Sequence, residues 1–127
     1  MNNIYITDIH VAIVNELLKE LKKDRFNACI TYDDLSCRLN RRVGPRQLAG
    51  FLGDISTWCK QIGAPMLSVL VINKHENKPG HGFFLLYSDL YGRKGKKEDE
   101  DLIFIQEMKK VQQYNHWDDL KDLLLSF

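Results

Sequence analysis

Between Gly44 and Ile62 the chain is left with little choice of local structure. Apolar side chains at Leu48, Phe51, Leu52, Ile55, Trp58, Cys59 and Ile62 recur at spacings of three and four, the period of a helix that buries one face. Pro45 suits the first helical position, because its ring presets φ and the N–H it lacks would have no partner there. Gly63, with Pro65 just beyond, marks the other end. The pattern predicts a helix that opens at Pro45 and carries Arg46 and Gln47 on its exposed first turn, where long polar side chains reach outward.

The segments before it follow the same logic. Thr7 and Asp8 predict the start of a long amphipathic helix, with Ile9, Ile13, Val14, Leu17, Leu18 and Leu21 apolar and an end near Asp24. Its far end is basic, with Lys19, Lys22, Lys23 and Arg25. His10 lies on or beside the apolar face, where a packed, hydrogen-bonded imidazole is the ordinary reading. Residues 28–30 predict a short strand. Thr31 and Asp34 then stand as in a capping box, opening a second helix from Tyr32 to about Leu39. Residues 40–44 make a tight basic turn carrying Arg41 and Arg42. Helix, short turn, helix, with cations at the turn and at the second helix's start, is the outline of a helix-turn-helix.

Beyond Gly63 the β-branched run at residues 66–72 predicts a strand. The polar, glycine-bearing stretch from Lys74 through Lys78 to Gly82 lies where a wing would follow. Residues 83–91 fit either a strand or a short helix, of which the helix is preferred, and Arg93, Lys94, Lys96 and Lys97 read as a basic linker. Asp99, Glu100 and Asp101 favour the start of a helix bearing Leu102, Ile105, Met108 and Val111. A last helix from Trp117, with Leu120, Leu123, Leu124 and Phe127 apolar, docks back on the core. The expected architecture is one domain over residues 1–127, mainly α (α+β), with a winged helix-turn-helix core at 28–92. An amphipathic helix precedes that core, and an acidic helical extension at 98–127 follows it.

Charge divides the chain unevenly. Residues 1–97 hold 15 Lys and Arg against 9 Asp and Glu, whereas residues 98–127 hold 3 against 8, so a net charge of +1 hides a basic body and an acidic tail. Such a body favours an anionic partner. Three cysteines, Cys29, Cys37 and Cys59, form no even set and no Cys-x-x-Cys pair, which argues against a disulfide scaffold or zinc ribbon and for small core residues. No apolar run approaches the length of a membrane span and the first residues do not read as a signal peptide, so a cytoplasmic location and no membrane partner are expected.

A family pattern runs through the middle of the chain. Ile30-Thr31-Tyr32-Asp33-Asp34-Leu35, Gly44-Pro45-Arg46-Gln47-Leu48-Ala49, Ala64-Pro65-Met66, Val71-Ile72-Asn73 and Lys78-Pro79-Gly80-His81-Gly82 occur in that order. Together they resemble the winged-helix domain of the alkylguanine-DNA alkyltransferases and their non-catalytic alkyltransferase-like relatives. The resemblance implies that Tyr32 takes the place of the tyrosine that helps rotate a nucleotide, and Arg46 that of the arginine filling the vacated base stack. It also sets Ser68 where the family has its acceptor cysteine, Val69 on the following histidine, Leu70 on the arginine and Ala64 on the hinge asparagine. A serine without that histidine lacks the activation a nucleophile needs, so alkyl transfer is not expected.

The leading expectation is therefore a non-enzymatic DNA-binding protein without a cofactor. Its contacts come from Tyr32, Arg41, Arg42, Arg46, Gln47, Lys74 and Lys78, with Ser68 and Asn73 at a pocket. Phosphate contacts would supply most of the affinity, and Arg46 or Gln47 would reach base edges. A second reading is an adaptor or inhibitor that meets a protein partner through residues 98–127. A third, less favoured, is a metal-dependent nuclease using His75, Glu76, His81 and His116, residue types able to ligate zinc or activate water.

Overall fold

A computed structural model of the chain describes residues 6–92 and 99–125. The expected basic linker at 93–97 and the apolar Phe127 lie outside the described residues. The described chain is mainly helical with one very small sheet. In order it runs α1 (Asp8–Lys23), β1 (Ile30–Thr31), α2 (Tyr32–Arg38), α3 (Leu48–Gln61), a 3-10 helix (Leu67–Leu70), β2 (Val71–Ile72), α4 (His81–Leu90), α5 (Glu100–Gln113) and α6 (Trp117–Leu125). None of these helices is long and apolar enough to cross a membrane.

The elements form for the local reasons their sequences suggest. Thr31 Oγ1 accepts the Asp34 N–H at 3.1 Å and starts α2. Asp99 Oδ1 accepts the N–H groups of Asp101 and Leu102 at 3.0 and 3.3 Å and starts α5. At α1 the cap is less ordinary, for the third helical residue is a histidine. The Thr7 N–H donates to His10 Nδ1 at 3.0 Å, which leaves the Nε2–H to donate to Asp54 Oδ2 at 2.9 Å. His10 is buried edge-on against Phe51 and Trp58, with ring centroids 4.9 and 4.8 Å away. It is a packed core histidine that ties the start of α1 to the middle of α3.

Three expectations about element boundaries need correction, the first being the strand expected over residues 28–30, which forms instead at Ile30–Thr31. The helix expected from Pro45 becomes regular only at Leu48, after a turn over residues 44–47. The Gly44 carbonyl accepts the N–H groups of Gln47 and Leu48 at 3.0 and 3.2 Å, and Gln47 Oε1 takes the Gly44 N–H at 3.0 Å. Pro45 and Arg46 thus ride in a capped lead-in turn. The strand expected over residues 66–72 survives only as Val71–Ile72, because residues 67–70 coil into the 3-10 helix. Every residue from Ala64 to Val71 is buried, packed between α3 and α5, and a segment enclosed on all sides has no sheet edge to extend. The ladder is two residues by two, with β1 and β2 parallel and Ile30 opposite Val71.

The cysteines also depart from expectation, since Cys59 is buried but Cys29 and Cys37 are exposed. Cys37 falls on the outward face of α2, whose Leu35 and Ser36 turn inward. The acidic helices are part of the core. Ile103, Val111, Trp117, Leu120 and Leu124 are buried in the same apolar cluster as Ile13, Leu17 and Ile55. Glu107 is buried with them, and its Oε2 accepts the Met66 N–H at 2.9 Å, fastening α5 to the turn before the 3-10 helix. Arg25 closes the other end, donating to the carbonyls of Gln112 and Tyr114 at 2.7 and 3.3 Å, where α5 runs out.

Candidate functional site

Three residues far apart in sequence meet around one cavity. Tyr32 opens α2, Arg46 sits in the turn leading into α3, and Ser68 lies in the 3-10 helix; all three line a cavity of about 480 Å³. Its remaining walls are Pro45, Ala49, Leu52 and Gly53 from the α3 side, and Gly80, Gly82, Phe83 and Leu86 from α4 and its approach. The space exists partly because small residues face it. A Cβ on Gly53 would stand 3.8 Å from Leu86 Cδ2, and one on Gly80 would press to 3.3 Å from the Tyr32 hydroxyl oxygen.

The polar groups of the cavity are few and each has a defined state. The Gly80 N–H donates to the Tyr32 hydroxyl oxygen at 3.0 Å, so the phenolic proton is left to be given elsewhere. Burial raises the Tyr32 pKa above the ordinary phenol range, and the Gly80 hydrogen bond works in the opposite direction. The hydroxyl is therefore a neutral donor at physiological pH. Ser68 is 6% exposed, and its Oγ shares a hydrogen bond of 2.5 Å with Ser56 Oγ of α3. Arg46 is exposed at the rim. No His, Asp, Glu, Cys or Lys side chain is among the described residues that line the cavity.

The other expected site residues are placed elsewhere. Asn73 does not line the cavity, because it builds the turn after β2. Its backbone bridges antiparallel to Lys78, and its Oδ1 accepts the His75 N–H at 3.0 Å. That four-residue turn carries Lys74 exposed at its start and Asn77 with φ of 56° at its end. Gln47 is only half available, its Oε1 being used on Gly44. Arg41 and Arg42 are exposed on the α2–α3 turn, where Arg41 itself has φ of 56°. The Arg41 guanidinium donates to Cys37 Sγ at 3.0 Å and that of Arg42 to the Leu39 carbonyl at 3.3 Å.

Lys78 is not free. Its Nζ lies 3.3 Å from Glu100 Oε1 and 3.4 Å from Asp101 Oδ1, both in the first turn of α5. Hydrogen bonding to Glu100, with a smaller contribution from Asp101, raises the Lys78 pKa. His81 Nδ1 stands 3.4 Å from the second oxygen of Glu100. The expected nuclease set is not assembled. His81 is engaged by Glu100, His75 and Glu76 are exposed on the turn, and His116 packs edge-on against Tyr114 at 5.7 Å between ring centroids. Among the described residues no three His, Cys, Asp or Glu side chains gather as metal ligands.

Sequence reasoning missed Phe83 and Leu86 as cavity walls, and the pairing of α5 acids with Lys78. The first had a signal in the apolar pattern of residues 83–91. The second had none, for Glu100 and Asp101 read equally well as acids placed for the helix dipole. No protein-family model, no curated protein and no solved structure matches the chain.

Proposed function

We propose that the chain is a non-enzymatic DNA-binding protein of winged-helix type, whose cavity receives a base turned out of the duplex. The observation that carries this reading is the convergence of Tyr32, Arg46 and Ser68 on one largely apolar cavity, across 36 residues of sequence. A volume of about 480 Å³ lies within the range of small-ligand pockets, and apolar walls suit the faces of a planar heterocycle. Extruding a base costs a few kcal/mol, and a cation at the mouth can fill the gap in the stack while meeting phosphate. Arg46 is exposed on the lead-in turn of α3, and its exposure at the cavity rim supports that role. The turn after β2 serves as the wing, and Arg41, Arg42 and Lys74 add phosphate contacts.

The test is a titration of duplex DNA carrying 2-aminopurine, read by anisotropy and by base fluorescence over a series of salt concentrations. Affinity is expected to fall with salt, by about 0.9 in log K per log salt for each phosphate engaged. Base fluorescence is expected to rise on binding. Arg46→Ala should lower the salt slope by about 0.9 and remove the fluorescence rise. Binding indifferent to salt, or no binding at low salt, refutes the proposal.

A second reading, a protein partner on the acidic helices, is favoured by Leu102 and Ile105, which are 51% and 52% exposed on α5. Because α5 and α6 supply core residues, the variant to use is Leu102→Gln with Ile105→Gln in the full chain. Partner capture unchanged by that pair sinks the second reading.

A further inference from the structure

The chain segment between Lys78 and Gly82 is held from two sides. On the cavity side the Gly80 N–H donates to the Tyr32 hydroxyl. From α5, Glu100 reaches two basic side chains at once, Oε1 to Lys78 Nζ at 3.3 Å and Oε2 to His81 Nδ1 at 3.4 Å, while Asp101 adds a contact of 3.4 Å to Lys78. One carboxylate spanning the Lys78 ammonium and the His81 imidazole with its two oxygens is the arrangement in which a phosphodiester presents its two non-bridging oxygens. Gly80 and Gly82, which flank His81 in the chain, line the cavity itself. A strand whose base entered the cavity would therefore carry its backbone past Lys78 and His81.

We infer that Lys78 and His81 form a backbone-phosphate site of the nucleic-acid surface, occupied in the free protein by Glu100 and Asp101 acting as an internal competitor. This rests on the DNA-binding reading above and adds its regulation. Binding exchanges two carboxylates for a phosphate, and α5 gives up its hold on the wing when a strand arrives. The exchange makes the free protein less adhesive to DNA in general, because random phosphate contacts must displace a partner that is always present at high local concentration. A strand that also delivers a base to the cavity has the additional interaction needed to complete the exchange.

The experiment uses the full chain and a short fluorescein-labelled duplex. Glu100→Gln with Asp101→Asn releases the clamp. Asp118→Asn with Asp119→Asn, exposed on α6, makes the same change in net charge away from it. The clamp variant is expected to bind about tenfold more tightly at low salt and to steepen the salt slope by about 0.9, as one more phosphate contact becomes available. The α6 control should gain no more than about twofold, with an unchanged slope, because net charge without a contact releases no counterion. Adding Lys78→Gln to the clamp variant should cancel the gain, whereas in the wild-type chain it should change little. Equal gains in the clamp and control variants would overturn the competitor and leave the DNA-binding reading standing. Absence of binding in all the proteins at low salt would overturn both.

Discussion

Gly53 sits inside α3 and faces the cavity, so replacing it tests the helix and the cavity together. A glycine within a helix costs about 0.8–1 kcal/mol relative to alanine, through the backbone freedom lost on folding. Gly50, one turn earlier on the same helix, has nothing within 4 Å of where a Cβ would stand, so Gly50→Ala measures that backbone contribution alone. At Gly53 the added methyl lies 3.8 Å from Leu86 Cδ2, an ordinary contact, and its partial burial adds up to about 0.8 kcal/mol. Gly50→Ala should therefore stabilise by about 1 kcal/mol, and Gly53→Ala by about 1–1.5 kcal/mol. For a chain of this size those values correspond to rises of roughly 3–6 °C in Tm. Thermal and urea unfolding give the stabilities, and the 2-aminopurine titration gives the binding. Gly53→Ala should weaken base capture several-fold, and Gly53→Leu should abolish it while salt-dependent binding to phosphate persists. A Gly53→Leu chain that folds and still raises base fluorescence would refute the cavity as the base site; a destabilising Gly50→Ala would refute the open surface drawn for α3.

Three further expectations concern the core. Burial pushes the Cys59 thiol up to about 12, so alkylation of the native chain should label Cys29 and Cys37 and reach Cys59 only in denaturant. Because that raised pKa favours the neutral thiol in the fold, its stabilising contribution is complete below the ordinary thiol pKa of 9.0 and lost as pH rises toward 12; Cys59→Ala should flatten the fall in stability over that window. His10→Ala should destabilise by about 2–4 kcal/mol in urea, since it empties a space between two aromatic rings and strands the Thr7 N–H; a loss under about 1 kcal/mol contradicts the anchoring role. Glu107→Ala leaves the buried Met66 N–H without its acceptor and should cost about 1–3 kcal/mol, whereas Glu107→Gln, which retains an oxygen, should stay within about 1 kcal/mol of the wild type.

Much of the fold was legible because its helices are amphipathic and capped by short-range chemistry. α1, α2, α5 and α6 fall where periodicity, Thr31 and Asp99 put them, whereas the apolar pattern of residues 83–91, which suited a strand as well, forms α4. The run at residues 66–72 misled because β-branched composition reports burial as much as strand, and a segment enclosed by α3 and α5 needs no pleat. At the site, the resemblance brought Tyr32, Arg46 and Ser68 to notice together, and they line one cavity. Asn73 and Gln47 carried the same kind of polar side chain, yet in both an oxygen accepts from turn backbone, a competition that residue type does not reveal. The reach of Glu100 to Lys78 spans the apolar α4 and the basic residues that follow it in the sequence. Nothing local in either sequence stretch names the other as partner.

The smallest element sets the relation between the largest parts of the site. β1 ends one residue before Tyr32, and β2 begins three residues after Ser68. The pairing of Ile30 with Val71 thereby works as an alignment mark between the two walls that bear those side chains. A slip of one residue would turn buried Ile30 outward and carry the start of α2 along by about 3.3 Å, more than the whole length of the bond from Gly80 to the Tyr32 hydroxyl. Insertions at residues 40–43, ahead of the cavity-lining Pro45 and Arg46, can lengthen the α2–α3 turn without moving the Tyr32 and Ser68 walls apart, provided that two-rung ladder closes in the same register.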